Sequence, residues 1–473
     1  MATATSDLAQ GQHVAASDIR SSFATAMSDM YSQEVPLYDT LLSIVRTVNY
    51  TTLEENISLR DSLLATDDLA RINLERHGAI RLGTPAELNA VRRVLSVMDM
   101  APIGYYDLSS AGVPVHSTCF RAWDAAELAK NPFRLFVSLL RPELIKEDGL
   151  RTEALAILAK REIFSKAMYA LLAVYESNGG FTAHEAADFV AEAIEAFRWR
   201  SRASVSHSQY QLLLQESPVL ADIVAFQSPH INHLTPRTLD IDAVQAAMRA
   251  QQIPLKHHIE GPPKRQVPIL LRQTSFNAIE EKIEFPDGPG LGGCDKTITA
   301  GHTARFGEIE QRGAALTVKG RQLYDRLLAS AIKAGITSAE GPEFSQIFAD
   351  FPDSVVEMQK QDLAWFQYRI SEDAKSKRPE SDDLPYLIRN GFVVFEPIVY
   401  EDFLPVSAAG IFQSNLSTSE PSSTPVSPHM EDGKELFERA LGSSVADEMA
   451  LYKRIQEDTV LACQKWARLA RAE

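Results

Sequence analysis

The chain has 473 residues, 45% of them hydrophobic and 23% charged, a balance that suits a folded protein of two or three domains or one large core. Its formal net charge of −16 argues against a nucleic-acid or anionic-membrane partner, while leaving room for a local basic pocket around a small anion. Three scattered cysteines, Cys119, Cys294 and Cys463, form no CxxC pair, which excludes a disulfide framework and a thiolate zinc site and fits a reducing, cytoplasmic setting.

Residues 1–20 are small and polar with early acids; they read as neither a secretory nor a transit signal and are expected to be disordered. No apolar run is long enough to predict a membrane span. From 21 to 75, "SSFATAMSDMYSQ" and "LYDTLLSIVRTVNYTT" repeat apolar residues every three or four positions, the pattern of helices. "TPAELNAVRRVLSVMDM" predicts another helix, with Pro85 in its first turn. "PIGYYDLS" and "VPVHSTCFRAW" have strand composition.

Residues 124–225 read as an almost purely helical insertion or layer, including the long striped segment "TEALAILAKREIFSKAMYALLAVYES" and a helix opened by a Thr182–Glu185 capping box. Residues 226–413 are expected to carry the main part of the β-core: "INHLTPRTL", "VPILLRQTSF", "KIEF", "ARFGEIEQRGAALT" and "GFVVFEPIVYEDFLPVSAAGIF", with helices at 242–251, 318–334 and 343–371. The Ser/Pro/Thr-rich stretch 414–432 reads as a flexible loop, and 433–473 as C-terminal helices. No internal repeat is evident. Strands and helices mix without strict alternation, so the class is α+β, with 21–473 a single unit.

Four stretches hold side chains suited to a metal or an anion. In "RHGAIRLGT", His77 and Arg81 share a face whether the segment is a strand or a helix. The guanidinium fork of arginine matches a carboxylate with two parallel hydrogen bonds. "SPHINHLTPRTLDID" offers His230 and His233; in a strand these face opposite sides, so at most one enters a given pocket. "RFGEIEQRG" places Glu308 and Glu310 on one strand face, and spacing alone does not choose between them. Two histidines and one carboxylate make the facial set of non-heme Fe(II) oxygenases. Each residue also has an ordinary reading: a satisfied histidine, a salt-bridged Arg81, or Glu310 paired with Arg312 or Arg305. His257 and His258 read as loop residues, and His116 and His302 as structural hydrogen-bonding groups. "PDGPGLGGCDKT" lacks a phosphate-loop order, so 287–296 is expected to be a mobile loop or lid, and nothing marks Cys294 as reactive.

These stretches, with "PIGYYDLSSAGVPVHST", "LLRQTSFNAIEE", "RFGEIEQRGAALTVKGRQLYD" and "EDFLPVSAAGIFQSNL", resemble the 2-oxoadipate dioxygenase/decarboxylase (hydroxyglutarate synthase) family, itself similar to vicinal-oxygen-chelate dioxygenases. The resemblance covers roughly residues 20 to 470. It implies a vicinal-oxygen-chelate-like β-core holding Fe(2+) through His77, His233 and Glu308, Glu308 being chosen because "EIEQR" looks like the ligand strand of those enzymes. Arg81 then matches the arginine that binds a substrate carboxylate, and Val406 and Ser407 match a segment lining the substrate pocket. The implied reaction consumes O2 and a 2-oxo dicarboxylic acid: 2-oxoadipate is oxidatively decarboxylated and hydroxylated on the same molecule, giving 2-hydroxyglutarate and CO2, a step of lysine catabolism. Two alternatives stand beside it: a divalent-metal isomerase or lyase on the same scaffold, and a non-catalytic small-acid-binding member.

Overall fold

Shortly after its last N-terminal helical turn, Asp68–Arg71, the chain enters a central strand, β1 (Arg76–Leu82). The computed structural model describes residues 13–66, 68–256, 258–276, 280–289, 295–303, 305, 307–336, 341–404 and 429–472. After β1, Thr84 and Glu87 close a capping box around Pro85 and start the helix Pro85–Ser96, which buries Leu88, Val91, Val94 and Leu95. Asp99, at a left-handed φ of 54°, turns the chain into β2 (Met100–Asp107). Then follow β3 (Val115–Ala122) and β4 (Phe133–Leu140). β1 lies parallel to β4, and β4–β3 and β3–β2 are antiparallel. The result is a β-α-β-β-β unit in the spatial order β2-β3-β4-β1.

β4 falls inside the block expected to be helical, and the largest sheet is drawn mostly from residues before 226. The strand β4 corrects the helical reading of that block, and the cause is burial. All eight residues of β4 are buried. A strand covered on both faces shows a near-continuous apolar run, here "FRLFVSLL", and lacks the two-residue alternation that marks a half-exposed strand.

The chain returns as β5 (Leu234–Pro236), antiparallel to β1, with Gly78 opposite Leu234. Gly78 is needed for this approach: a Cβ there would lie 2.4 Å from Ile231 Cδ1 and 3.3 Å from the carbonyl oxygen of His233. The helix Ile241–Ala250, capped by Asp240, comes next. β6 (Leu271–Ser275), the hairpin β7 (Glu280–Pro289) and β8 (Asp295–Thr303), and β9 (Glu308–Arg312) follow. β9 pairs antiparallel with β6 and bridges β5 in parallel at Arg237–Glu310. Bridges Leu255–Phe276 and Glu260–Gln273 supply an antiparallel edge on the far side of β6. Edge, β6, β9 and β5 thus repeat the order of β2, β3, β4 and β1, with β7–β8 inserted. The molecule does contain an internal repeat, carried by topology rather than by sequence likeness.

The remaining elements cover these sheets. The helices Ala16–Glu34 and Leu37–Glu55 bury Phe23, Met27, Tyr31, Tyr38 and Leu41. The first begins inside the segment expected to be disordered. Arg20 is fully buried, and its guanidinium donates to the carbonyls of Asn131, Met98 and Glu127 at 3.1, 2.7 and 2.6 Å. The striped segment from 152 splits into Asp148–Leu158 and Lys166–Asn178, because the intervening Ile163 and Phe164 turn inward and Ser165 caps the second helix. The helix expected over 343–371 ends with Val355–Lys360; Asp362 takes a left-handed φ of 54°, and β10 (Phe366–Ile370) then pairs with β11 (Val393–Pro397). The C-terminal helices are His429–Leu441 and Glu448–Ala472. Among the described residues no helix is long and apolar enough to cross a membrane.

Candidate metal centre

β1, the turn into β5 and β9 converge at the junction of the two units. Alternation on β1 sends the buried His77 inward, and alternation on β9 does the same for Glu308 and Glu310. Residues 228–233 are not strand: His233 arrives on an irregular, fully buried segment just before β5. Single ligand-type atoms of His77, His233 and Glu308 all lie within 4.8 Å of one another, and the three side chains are completely buried. The separation of His77 Nε2 and Glu308 Oε1 is 3.1 Å. Two neighbouring ligands of one first-row ion, each at about 2.1 Å, stand about 3.0 Å apart.

The hydrogen bonding leaves the same impression. Thr235 Oγ1 and Gln273 Nε2 donate to Glu308 Oε1 at 3.2 and 2.7 Å, whereas Glu308 Oε2 has no partner. Both ring nitrogens of His77 lie close to carboxylates, Nε2 near Glu308 and Nδ1 at 3.0 Å from Glu310 Oε2, yet neither approach has the alignment of a hydrogen bond. Buried polar atoms so rarely go unsatisfied that this cluster fits an additional cation between its members. His233 Nδ1 lies 3.0 Å from Thr235 Oγ1.

Glu310, on the same strand face as Glu308, meets the other ring nitrogen of His77. Its oxygens take both Nε and Nη2 of Arg312 at 2.8 and 2.9 Å. Burial alone would raise its pKa, but Arg312 and His77 hold it down at about 2. Burial disfavours a charged His77, and the nearby Glu310 and Glu308 outweigh that and raise its pKa. Burial dominates at His233 and lowers it to about 4, so this ring is neutral at physiological pH. Phe403 meets the His77 ring edge-on at 4.8 Å, packs on Phe136 at 5.3 Å and lies under the Arg312 guanidinium.

Arg81, two positions beyond Ala79 on the face of His77, binds Asp222 at 2.5 Å and the amide oxygen of Asn232 at 3.0 Å. Asp222 also receives His230 Nε2 at 3.2 Å, and the His230 ring is wedged against Trp199 and Phe226. The two histidines of "HINH" therefore part company: His233 joins the cluster, and His230 supports the partner of Arg81. His116 lies elsewhere, against Tyr105 and Phe437. Val406 and Ser407 lie outside the described residues, as do His257, Cys294 and the stretch 405–428. Thr235, Gln273, Asp222 and Phe403 escaped sequence reasoning; only Thr235, two residues after a histidine in an extended segment, left a local trace.

Fold and site together define a class: a two-unit α+β protein with a buried His-His-Glu cluster able to hold a divalent metal. The family profile described as 2-oxoadipate dioxygenase/decarboxylase matches residues 23–415. The chain is 51% identical over 453 residues to the 2-oxoadipate dioxygenase/decarboxylase of Escherichia coli K12, covering 95% of this chain and 98% of that protein. It is 49% identical over 460 residues to the Pseudomonas putida enzyme of the same name, covering 95% and 97%. The crystal structure of hydroxyglutarate synthase from Pseudomonas putida in complex with 2-oxoadipate superposes with a TM-score of 0.85 at 47% identity, covering 96% of this chain and 99% of that one. The chain belongs to the 2-oxoadipate dioxygenase/decarboxylase family.

Proposed function

We propose that this chain is an Fe(II)-dependent dioxygenase that converts 2-oxoadipate and O2 into 2-hydroxyglutarate and CO2, the step of lysine catabolism that the sequence resemblance implies. The observation that carries this reading is the buried triad of His77, His233 and Glu308 beside an arginine, in a chain so similar to enzymes of that name. The repeated β-α-β-β-β units, with ligand positions on strands of both, support a vicinal-oxygen-chelate architecture. Because site residues run from His77 to Phe403, we read 21–473 as one catalytic unit. Cys119 and Cys463, buried and unbridged, fit a reducing cytoplasm.

In this reading two imidazoles and one hard carboxylate hold the ion and leave neighbouring positions for substrate and oxygen. The iron supplies redox chemistry with O2; the protein does the rest. Arg81, oriented through Nη1 by Asp222 and Asn232, is the residue that would receive a substrate carboxylate on its guanidinium fork. By the family resemblance, Val406 and Ser407 belong to the segment expected to line the substrate pocket. Phe403 and Phe136 wall it off from water, which matters because an uncoupled oxidant would attack the protein. The reaction balances: one oxygen atom enters the new carboxylate, the other the new hydroxyl, and C1 leaves as CO2.

The test is anaerobic reconstitution of the full chain with Fe(II), followed by O2-electrode and CO2 measurements. We expect one O2 consumed and one CO2 released per 2-oxoadipate, with no O2 uptake in its absence and no turnover in His233→Ala. Full metal loading without O2 consumption on 2-oxoadipate or a homologue of different chain length would overturn the dioxygenase reading.

A further inference from the structure

We propose that Thr235 is a positioning residue that fixes which nitrogen of His233 faces the metal and ties that ring to Glu308; this rests on the metal reading above. A threonine hydroxyl has one hydrogen to give. An ionised carboxylate only accepts. At 3.2 Å from Glu308 Oε1, the Thr235 hydrogen therefore goes to the carboxylate. At 3.0 Å from His233 Nδ1, the same oxygen can then only accept, so Nδ1 carries the ring hydrogen. The lone pair is left on Nε2. All three residues are fully buried, which shields the arrangement from exchange with bulk water.

Neither nitrogen of His77 is fixed in this way: Nδ1 lies 3.0 Å from Glu310 Oε2 and Nε2 3.1 Å from Glu308 Oε1, both out of line for a hydrogen bond. The His233 support is a neutral hydroxyl that also holds Glu308, so a single oxygen sets the orientation of two of the three ligands. Gln273 Nε2, donating to the same Glu308 oxygen at 2.7 Å, steadies the carboxylate without touching His233.

The experiment compares Thr235→Val, which keeps the shape and removes the hydroxyl, with Thr235→Ser, which keeps the hydroxyl. The readout is the Co(II) dissociation constant and visible ligand-field spectrum of the metal-free full-length protein, with thermal unfolding of each metal-free variant as the folding control. Loss of such a supporting partner lowers metal affinity by about 10- to 100-fold, so T235V should weaken Co(II) binding by that much and alter its spectrum, while T235S stays within about threefold of wild type. T235V that binds Co(II) with wild-type affinity and spectrum overturns the proposal and leaves the metal reading standing. Wild type that fails to bind Co(II), or His233→Ala that binds it equally well, overturns the metal reading itself. If T235V does not fold, nitrogen NMR of ¹⁵N-histidine-labelled, metal-free wild type decides: hydrogen on Nδ1 of His233 supports the proposal, and hydrogen on Nε2 overturns it.

Discussion

His230 and His233 stand three positions apart and face different partners, and this sets what their removal should do. His230 is held by Asp222, Trp199 and Phe226, so His230→Ala should still bind metal, whereas His233→Ala should lose it. Equilibrium dialysis of the two variants checks both outcomes. Arg81→Ala should keep the metal and weaken 2-oxoadipate binding. A hydrogen-bonded contact with a charged group contributes about 2–3 kcal/mol, and such a loss is roughly a hundredfold in affinity. Arg81→Lys should recover little of it, because an ammonium cannot reproduce the paired donors of the fork. Steady-state kinetics with iron-loaded variants separates the effect on KM from that on kcat. Asp222 makes the prediction sharper: its carboxylate already orients the guanidinium, so a lysine at 81 would be drawn to Asp222 as a point charge.

At the scale of elements, the site depends on how closely two strands approach. The Gly78–Leu234 pair lies where an approximate local twofold relates β1 to β5, and it brings His77 onto His233. The same operation carries Phe136, the partner of Ala79 on β4, toward Glu308, two residues before the Glu310 that bridges Arg237. Three of four equivalent positions thus carry metal-type side chains, and the fourth carries a phenyl ring. Gly78→Ala should push its Cβ into Ile231 and the carbonyl of His233. Overpacking of this kind costs about 1–3 kcal/mol. We expect a lowered Tm together with weaker metal binding, because the displaced carbonyl belongs to a ligand. Unchanged Co(II) affinity in a folded Gly78→Ala protein would show that β1 and the 231–233 segment can part without disturbing the site. The elements also explain what the sequence made legible. Alternation on β9, Pro85 in a first helical turn and the capping box at Thr182 are local signals, and all three are present, whereas the sequence left β1 open between strand and helix. β4 hid because burial on both faces erased its alternation. The repeat hid because β5 has three residues and the outer edge of its unit survives only as isolated bridges. Gln273 had no signature and Thr235 only its place two residues after a histidine, since what makes them matter is a carboxylate more than thirty residues further along the chain.

Across the whole molecule, the acidic net charge coexists with a buried basic cluster under the candidate site. Glu75, completely buried, takes Arg134 Nη1 and Arg237 Nη1 at 2.8 and 2.9 Å, with Arg312 and Arg71 at 3.4 and 3.5 Å. Glu401 binds Arg71 at 2.9 Å and also pairs with Arg134. These side chains come from β4, β9, the residue that follows β5, the approach to β1 and the segment ahead of Phe403, so the cluster joins both units. It also surrounds Glu310 and places positive charge near a pocket that would receive a dianion, against the sign of the surface. Burial would raise the pKa of Glu75, but Arg237, Arg134, Arg71 and Arg312 together depress it well below its ordinary value near 4.5. The sign of its linkage follows. A carboxylate with a depressed folded-state pKa stabilises fully above its unfolded value, and that stabilisation is lost as pH falls toward the folded one. Glu75→Gln leaves four buried arginines short of a counter-charge, and breaking such a buried set destabilises by about 3–5 kcal/mol. We therefore expect Glu75→Gln to lower the Tm markedly at neutral pH. Between about pH 5 and pH 3 its Tm should fall less steeply than that of wild type, because the variant has one fewer depressed carboxylate to protonate. Parallel Tm–pH curves in that window would show that the pKa of Glu75 is not depressed in the folded protein, and that another acid balances the arginines that link the two units.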